Sequence, residues 1–280
     1  MERIHGCKED LVSTYETHQV SIVIDTQATK HKKEKYKALI VDVDGTLIPN
    51  KRDGMPSKKV ADAISKASKR LHVGVATSRP YFMLSHIVDH LKLSGPSIIL
   101  GGAQIIDTSS EKILLEQPLL KEDLSKIAKL LKTASIQFTV FDNGKDNVFS
   151  NTYKPNNPIQ IWIHKLTPTQ ADTYITKLSH IPTIDVYRLP SWGKGKVDIG
   201  INHASATKQH GILEIAKILK IETSNIIGVG DGYNDFPLLM ACGLKIAMGN
   251  AVDDLKSIAD YIAPPVEEDG VADVIEKFIL

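Results

Sequence analysis

Ala38-Leu39-Ile40-Val41-Asp42-Val43-Asp44-Gly45-Thr46-Leu47 is an apolar run that stops at two carboxylates and a glycine. That pattern predicts a buried parallel strand delivering acids to its C-terminal end, where ligands of open α/β sheets bind. Residues two apart on an extended chain project from one side, so Asp42 and Asp44 can flank a single reacting centre. Gly45 permits a sharp exit from the strand. Two anions at the mouth of a core strand are costly unless a cation or hydrogen bonds compensate. A metal ion is the expected compensation, and one acid can then attack while the other moves a proton.

Outward from this stretch, strands and helices alternate. Helices are expected over 57–68 and 81–91, with strands over 73–76 and 97–100. This βαβαβ rhythm implies parallel strands joined by right-handed crossovers. After Gly101-Gly102 the rhythm changes to hairpin turns, at 108–110 and at Asp142-Asn143-Gly144, mixed with helices over 119–132 and 169–178. The α/β rhythm returns near Val197, with a helix over 207–219, a strand over 225–229 and short helices to the end. Asn250 is expected to cap a helix starting at Ala251. The fold class is therefore α/β: a Rossmann-like parallel-sheet core over 36–101 and 196–280, interrupted by an inserted α+β domain over 102–195. Residues 1–35 are polar, end in a basic run, and are expected to form a poorly ordered extension.

The bulk composition narrows the function. The chain has 280 residues, 42% hydrophobic and 24% charged, with net charge +1. Nothing in that balance suggests a nucleic-acid surface or a polybasic membrane patch. Its two cysteines, Cys7 and Cys242, make neither a disulfide framework nor a zinc site, and a cytoplasmic location is expected. No apolar run is long enough to cross a bilayer.

Four polar clusters fall where core strands should end: Asp42 with Asp44; Thr77 after Val73-Gly74-Val75-Ala76; Lys208 near a helix start; and Gly230-Asp231-Gly232-Tyr233-Asn234-Asp235 after Ile226-Ile227-Gly228-Val229. Singly, each has a plainer reading: an Asp-Gly turn, a helix cap, a solvated lysine, a capping turn. Together they make a phosphate site. An attacking carboxylate repels a phosphate dianion, so cations must sit on the phosphate. Lys208 and a hard divalent ion, Mg²⁺, held by the oxygen-rich fourth cluster would supply them. Thr77 and nearby amides would orient the remaining oxygens.

In order and strand-end placement, these four clusters resemble the motifs of the haloacid dehalogenase superfamily over residues 36–280. Ala76-Thr77-Ser78-Arg79-Pro80, Ala247-Met248-Gly249-Asn250-Ala251 and Glu268-Asp269-Gly270-Val271-Ala272 resemble the Cof-type branch, and the insertion resembles that branch's large α/β cap. The resemblance implies a Mg²⁺-dependent phosphatase acting on a small phosphorylated metabolite. Asp42 would be the nucleophile, and Asp44 the acid and then the base. Mg²⁺ would lie on the Asp42 carboxylate, the Asp44 carbonyl and the Asp231 carboxylate, with Asp235 supporting its water shell. Thr77, Ser78, Lys208 and Asn234 would hold the phosphate. Three departures stand out: Ser78 where a glycine is usual, Gly101-Gly102-Ala103 in place of Asn-Gly-Ala, and Gln209-His210-Gly211 after Lys208 where glycine usually follows directly. A phosphomutase on a hexose phosphate and a phospho-accepting receiver module are the competing functions. Neither nucleic acid nor membrane is expected as a partner, and oligomeric state is not encoded in any readable motif.

Overall fold

The computed structural model describes residues 35–150 and 152–280. The expected N-terminal extension, Lys35 apart, lies outside the described residues. Five parallel strands form the main sheet: β1 (Ala38–Val41), β2 (His72–Val75), β11 (Ile226–Gly230), β12 (Leu244–Ala247) and β13 (Tyr261–Ile262), in the order β13-β12-β11-β1-β2. Every residue of β1 is buried, as its unbroken apolar run requires. Ser57 caps the helix Lys58–Ala67 by accepting from the Val60 amide, and Val60, Ala63, Ile64 and Ala67 form its buried face. Among the described residues no helix is long and apolar enough to cross a membrane.

The third strand of the rhythm, β3 (Pro96–Ile99), joins β2 only through a single parallel bridge, Ala76 to Ile98. Pro96 has no N–H to give a ladder. Side chains replace the missing rungs: the His72 ring meets the Pro96 carbonyl at 2.8 Å, and Ser97 Oγ accepts from the Val75 amide. The open edge of β3 pairs antiparallel with β4 (Gln104–Asp107), and β4 with β5 (Lys112–Glu116). Residues 104–116, expected in the insertion, are thus paired to a core strand, and Ile105 and Ile106 lie in the core's apolar cluster.

The inserted antiparallel sheet has the order β7-β6-β8-β10-β9, from β6 (Thr139–Asp142), β7 (Lys145–Val148), β8 (Pro158–Leu166), β9 (Ile184–Pro190) and β10 (Val197–His203). Asn143 and Gly144, both at positive φ, form the two-residue turn between β6 and β7. Thr167 and Gln170 close a capping box on the helix Pro168–Leu178. This helix and Lys121–Thr133 cover the sheet with a second apolar cluster separate from the first.

Two expectations are corrected here. Val197–His203 does not return to the core sheet but is a central strand of the inserted one, paired with β8 and β9. A central strand buried on both faces has the same apolar signature whether its neighbours are parallel or antiparallel, so composition misplaced it. Asn250 is not a helix cap. The helix begins at Asp253 behind Val252, while Asn250 Nδ2 donates to the Gly45 carbonyl at 2.8 Å and Oδ1 accepts from the Val266 amide at 2.9 Å. It ties the loop after β1 to the loop after β13.

Candidate active site

The register of the main sheet brings the acids together. Val41 pairs with Val229, and the Asp42 amide donates to the Val229 carbonyl at 2.9 Å, so the chain leaves β1 and β11 side by side. Oxygens of Asp42, Asp231 and Asp235 lie within 4.8 Å of one another. Gly45 sits at φ +84°, and a Cβ there would collide with the Asp231 carboxylate. Both its backbone and its missing side chain are needed for this approach. Thr46 Oγ1 donates to Asp231 Oδ1 at 3.1 Å.

Lys208, at the start of the helix Lys208–Leu219, is buried beneath the acids. Its Nζ donates to Asp42 Oδ1 and to Asp235 Oδ1, each at 2.6 Å. Burial alone would lower its pKa, but Asp235 and Asp42 more than offset that and hold the ammonium above the usual lysine range. Asp235 Oδ2 accepts from the Asp231 and Gly232 amides, both at 2.9 Å. Each Asp235 oxygen is thus already engaged, one by a cation and one by backbone.

The charges do not balance. Ionised together, the three carboxylates would carry two more negative charges than the one ammonium hydrogen-bonded to them among the described residues can offset. Burial, followed by Asp235, pushes the Asp42 carboxyl well above its usual range against the pull of Lys208. Burial, again followed by Asp235, raises Asp231 to about 7. A hard divalent cation fits this donor set: it would return the missing charge, and its preferred ligands are carboxylate oxygens.

Asp44 faces a different partner. Arg79 Nε donates to Asp44 Oδ2 at 2.8 Å and Nη2 to Oδ1 at 2.6 Å, a bidentate pair. Arg79 is 3% exposed and also donates to the carbonyls of Lys51, Arg52 and Met83. Its guanidinium carbon lies 5.4 Å from the Trp192 ring centroid. With both its oxygens occupied, Asp44 must release one bond before it can donate a proton elsewhere. Arg79 stands in the quoted stretch Ala76–Pro80, but nothing in sequence alone aims it at Asp44. Arg79→Lys is expected to lower kcat by about 10–100-fold, because a single ammonium cannot hold both oxygens. Unchanged steady-state kinetics would show that strand geometry alone places Asp44.

Thr77 and Ser78 follow β2. Thr77 is buried, and its Oγ1 accepts from the Arg79 amide at 3.1 Å. Ser78 and Asn234 line the cleft above the acids together with Asp42, Asp44 and Asp231. The cleft measures about 780 Å³ including its open mouth, and the inserted sheet roofs it with Asp146, Trp162, His164, Leu189 and Asp198. His164 Nδ1 and Asp198 Oδ2 are 3.0 Å apart, and His164 stacks on Trp162. Sequence reasoning did not single out these roof residues, since alternation along a strand shows which side chains share a face but not what that face covers. Trp192 is 47% exposed and lines the cleft. Tyr153 packs against Phe149 and donates to Asp142.

With this geometry in place, the kinship of the chain is clear. The sequence profile of haloacid dehalogenase-like hydrolases matches residues 39–177 and 145–275. The 5-amino-6-(5-phospho-D-ribitylamino)uracil phosphatase YcsE of Bacillus subtilis is 26% identical over 87% of this chain and 96% of its own length. Phosphoglycolate phosphatase 2 of Saccharolobus solfataricus is 22% identical over 85% of this chain and 90% of its own. A phosphatase structure of the same superfamily from Bacteroides thetaiotaomicron superposes with a TM-score of 0.74, at 22% identity, over 88% of this chain and 96% of that one. The chain belongs to the haloacid dehalogenase-like hydrolases, as the four sequence motifs implied. Within that family it is an enzyme of the phosphatase class.

Proposed function

We propose that the chain is a Mg²⁺-dependent phosphatase that hydrolyses a small phosphorylated metabolite, a sugar phosphate or similar, through an aspartyl-phosphate on Asp42. The observation that carries this is the trio of buried Asp42 and Asp235 with half-buried Asp231, and Lys208 bonded to two of its members. Mg²⁺ would be held by the Asp42 and Asp231 carboxylates and the Asp44 carbonyl, with Asp235 fixing the surrounding backbone and Lys208. When bound, it supplies positive charge against the phosphate and the charge that develops during transfer.

The residues divide the work. An Asp42 oxygen forms a bond to phosphorus as the ester P–O bond breaks. Asp44, freed from one Arg79 contact, gives its proton to the departing alkoxide. It then takes a proton from water, whose oxygen attacks phosphorus and releases Asp42 and inorganic phosphate. Lys208, Ser78, Asn234 and the hydroxyl of Thr77 hold the phosphate oxygens. The roof from the inserted sheet closes over the leaving group and limits water. The buried free thiol of Cys242 suits a reducing cytoplasm.

The test is a panel of phosphorylated metabolites incubated with purified protein and Mg²⁺. Release of inorganic phosphate from at least one, lost on chelation, is the expected result. Isomerisation of a hexose phosphate without phosphate release would replace this reading with a mutase. A phospho-aspartate that persists for minutes to hours without turnover would replace it with a receiver module.

A further inference from the structure

The inserted sheet has two unlike faces. Ile161 and Ile163 of β8 and Ile199 and Ile201 of β10 lie in the second apolar cluster, under the helices. Alternation puts Gln160, Trp162 and His164 of β8, with Asp198 and Asn202 of β10, on the other face, toward the cleft. Part of that face is one hydrogen-bonded chain. Trp162 Nε1 donates to Gln160 Oε1, Gln160 Nε2 to the Tyr187 hydroxyl at 2.7 Å, and that hydroxyl to Asn202 Oδ1 at 3.4 Å. Asn202 Nδ2 donates in turn to the carbonyls of Leu100 and Ala206, at 2.8 and 3.1 Å. Every bond runs in one direction, so the indole is held in one orientation. His164 stacks on it, with ring centroids 5.5 Å apart.

A bulge aims the histidine. Val197 pairs with Leu166 and Ile199 with Ile163, so His164 and Lys165 together stand opposite Asp198 alone. Lys165 takes φ +58°, an uncommon value for a residue with a side chain. The buried Asp198 carboxylate repairs the break. Its Oδ1 accepts from the Lys165 amide at 2.8 Å, and its Oδ2 lies 3.0 Å from His164 Nδ1. A carboxylate only accepts, so the proton sits on Nδ1, and in the neutral ring Nε2 keeps its lone pair. His164 lines the cleft, and its Nε2 has no hydrogen-bond partner among the described residues.

The charge of the cleft's upper part is one-sided. Asp146 of β7 lines it without a hydrogen-bond partner among the described residues. Arg79 is the one Lys or Arg lining the cleft there, and Asp44 already holds its fork. Arg52 lies 6.0 Å from the Trp192 ring centroid but does not line the cleft. A second anion on the substrate would therefore meet a carboxylate and no free cation. We propose that His164 and Asp146 decide which leaving group is accepted. His164 Nε2 takes a hydrogen bond from a hydroxyl of the leaving group, which rests on the Trp162–His164 surface, and Asp146 turns away leaving groups that carry a carboxylate or another phosphate. The favoured substrate is the monophosphate ester of a neutral, hydroxyl-bearing alcohol. This rests on the reading of the cleft as a phosphatase site.

The experiment compares sorbitol 6-phosphate with 6-phosphogluconate, which differ only in a terminal hydroxymethyl or carboxylate, using the full chain with Mg²⁺ present. The ratio of their kcat/KM values cancels any general damage to folding or chemistry. The wild-type chain should favour the neutral ester by at least about thirtyfold. Asp146→Asn should shrink that preference below about fivefold. His164→Ala should lower kcat/KM for sorbitol 6-phosphate about tenfold, through KM, and His164→Gln, which keeps an acceptor, should stay within about threefold of wild type. Parity between the two esters, a ratio untouched by Asp146→Asn, or equal losses in the two His164 variants would each overturn the proposal. Turnover of p-nitrophenyl phosphate with sorbitol 6-phosphate refused would overturn it too. No phosphate release from any of the three would instead overturn the phosphatase reading, which separates the two failures.

Discussion

Asp42→Asn is expected to abolish phosphate release, by at least about 10⁴-fold, while the protein stays folded. An amide cannot serve as the attacking oxygen, yet it matches the carboxylate in shape and still offers Lys208 an acceptor. Lys208 also keeps Asp235, so no buried ammonium is left unpaired. The electrostatics add a second expected sign. Burial first, and then the carboxylates of Asp235 and Asp231 against the pull of Lys208, raise the Asp42 pKa well above the usual value. Removing its charge relieves repulsion, so the metal-free variant should melt no lower than the parent protein, and higher at about pH 8. Circular dichroism with a phosphate-release assay checks both points. Turnover within about tenfold of wild type would refute the covalent role.

Magnesium should reverse the pH dependence of stability. The sign follows from Asp231, raised to about 7 by burial and Asp235, and from Asp42, raised in the same direction. Between the unfolded value of 3.8 and the folded value of about 7, the native chain holds a proton that the unfolded chain has lost. Stability from this group is therefore lost as pH rises through that window. Metal-free protein should melt higher at about pH 5.5 than at about pH 8. Asp107, Asp123 and Asp142 are held below the usual range, and their contributions vanish only at lower pH, so they do not oppose this trend. Millimolar Mg²⁺ should raise the melting temperature most at about pH 8, where its ligands are already ionised. Asp231→Asn should lose that increment along with activity. Melting temperatures indifferent to both pH and Mg²⁺ would show that the trio is not a metal site.

Much of this arrangement was legible in the chain because its signals are local. An apolar run ending at Asp42 and Asp44 can hardly be anything but a core strand with a charged mouth, and Ile226–Val229 before Asp231 repeats the grammar. The parallel pairing of those two strands then follows from alternation with helices. What escaped were features set by partners distant in sequence. Arg79 is one of five arginines in the chain until β1 and β2 lie side by side and aim it at Asp44. Asn250 has the spacing of a helix cap, but the Gly45 carbonyl and the Val266 amide compete for its amide and win. The affiliation of β10 depended on which edges were free, which composition does not encode. The polar roof over the cleft was the least legible, because its members come from separate strands of a sheet whose order had to be known first.

The placement of β10 has a mechanical consequence. This strand is held on both sides by the inserted sheet, and only Ala204 to Thr207 separate its end from Lys208. The ammonium that bonds Asp42 and Asp235 is therefore mounted on a short stalk whose base belongs to the inserted sheet. If that sheet closes over substrate as proposed, its swing would pull on the charge balance at Asp42, and admission of a substrate and the readiness of that carboxylate would share one lever.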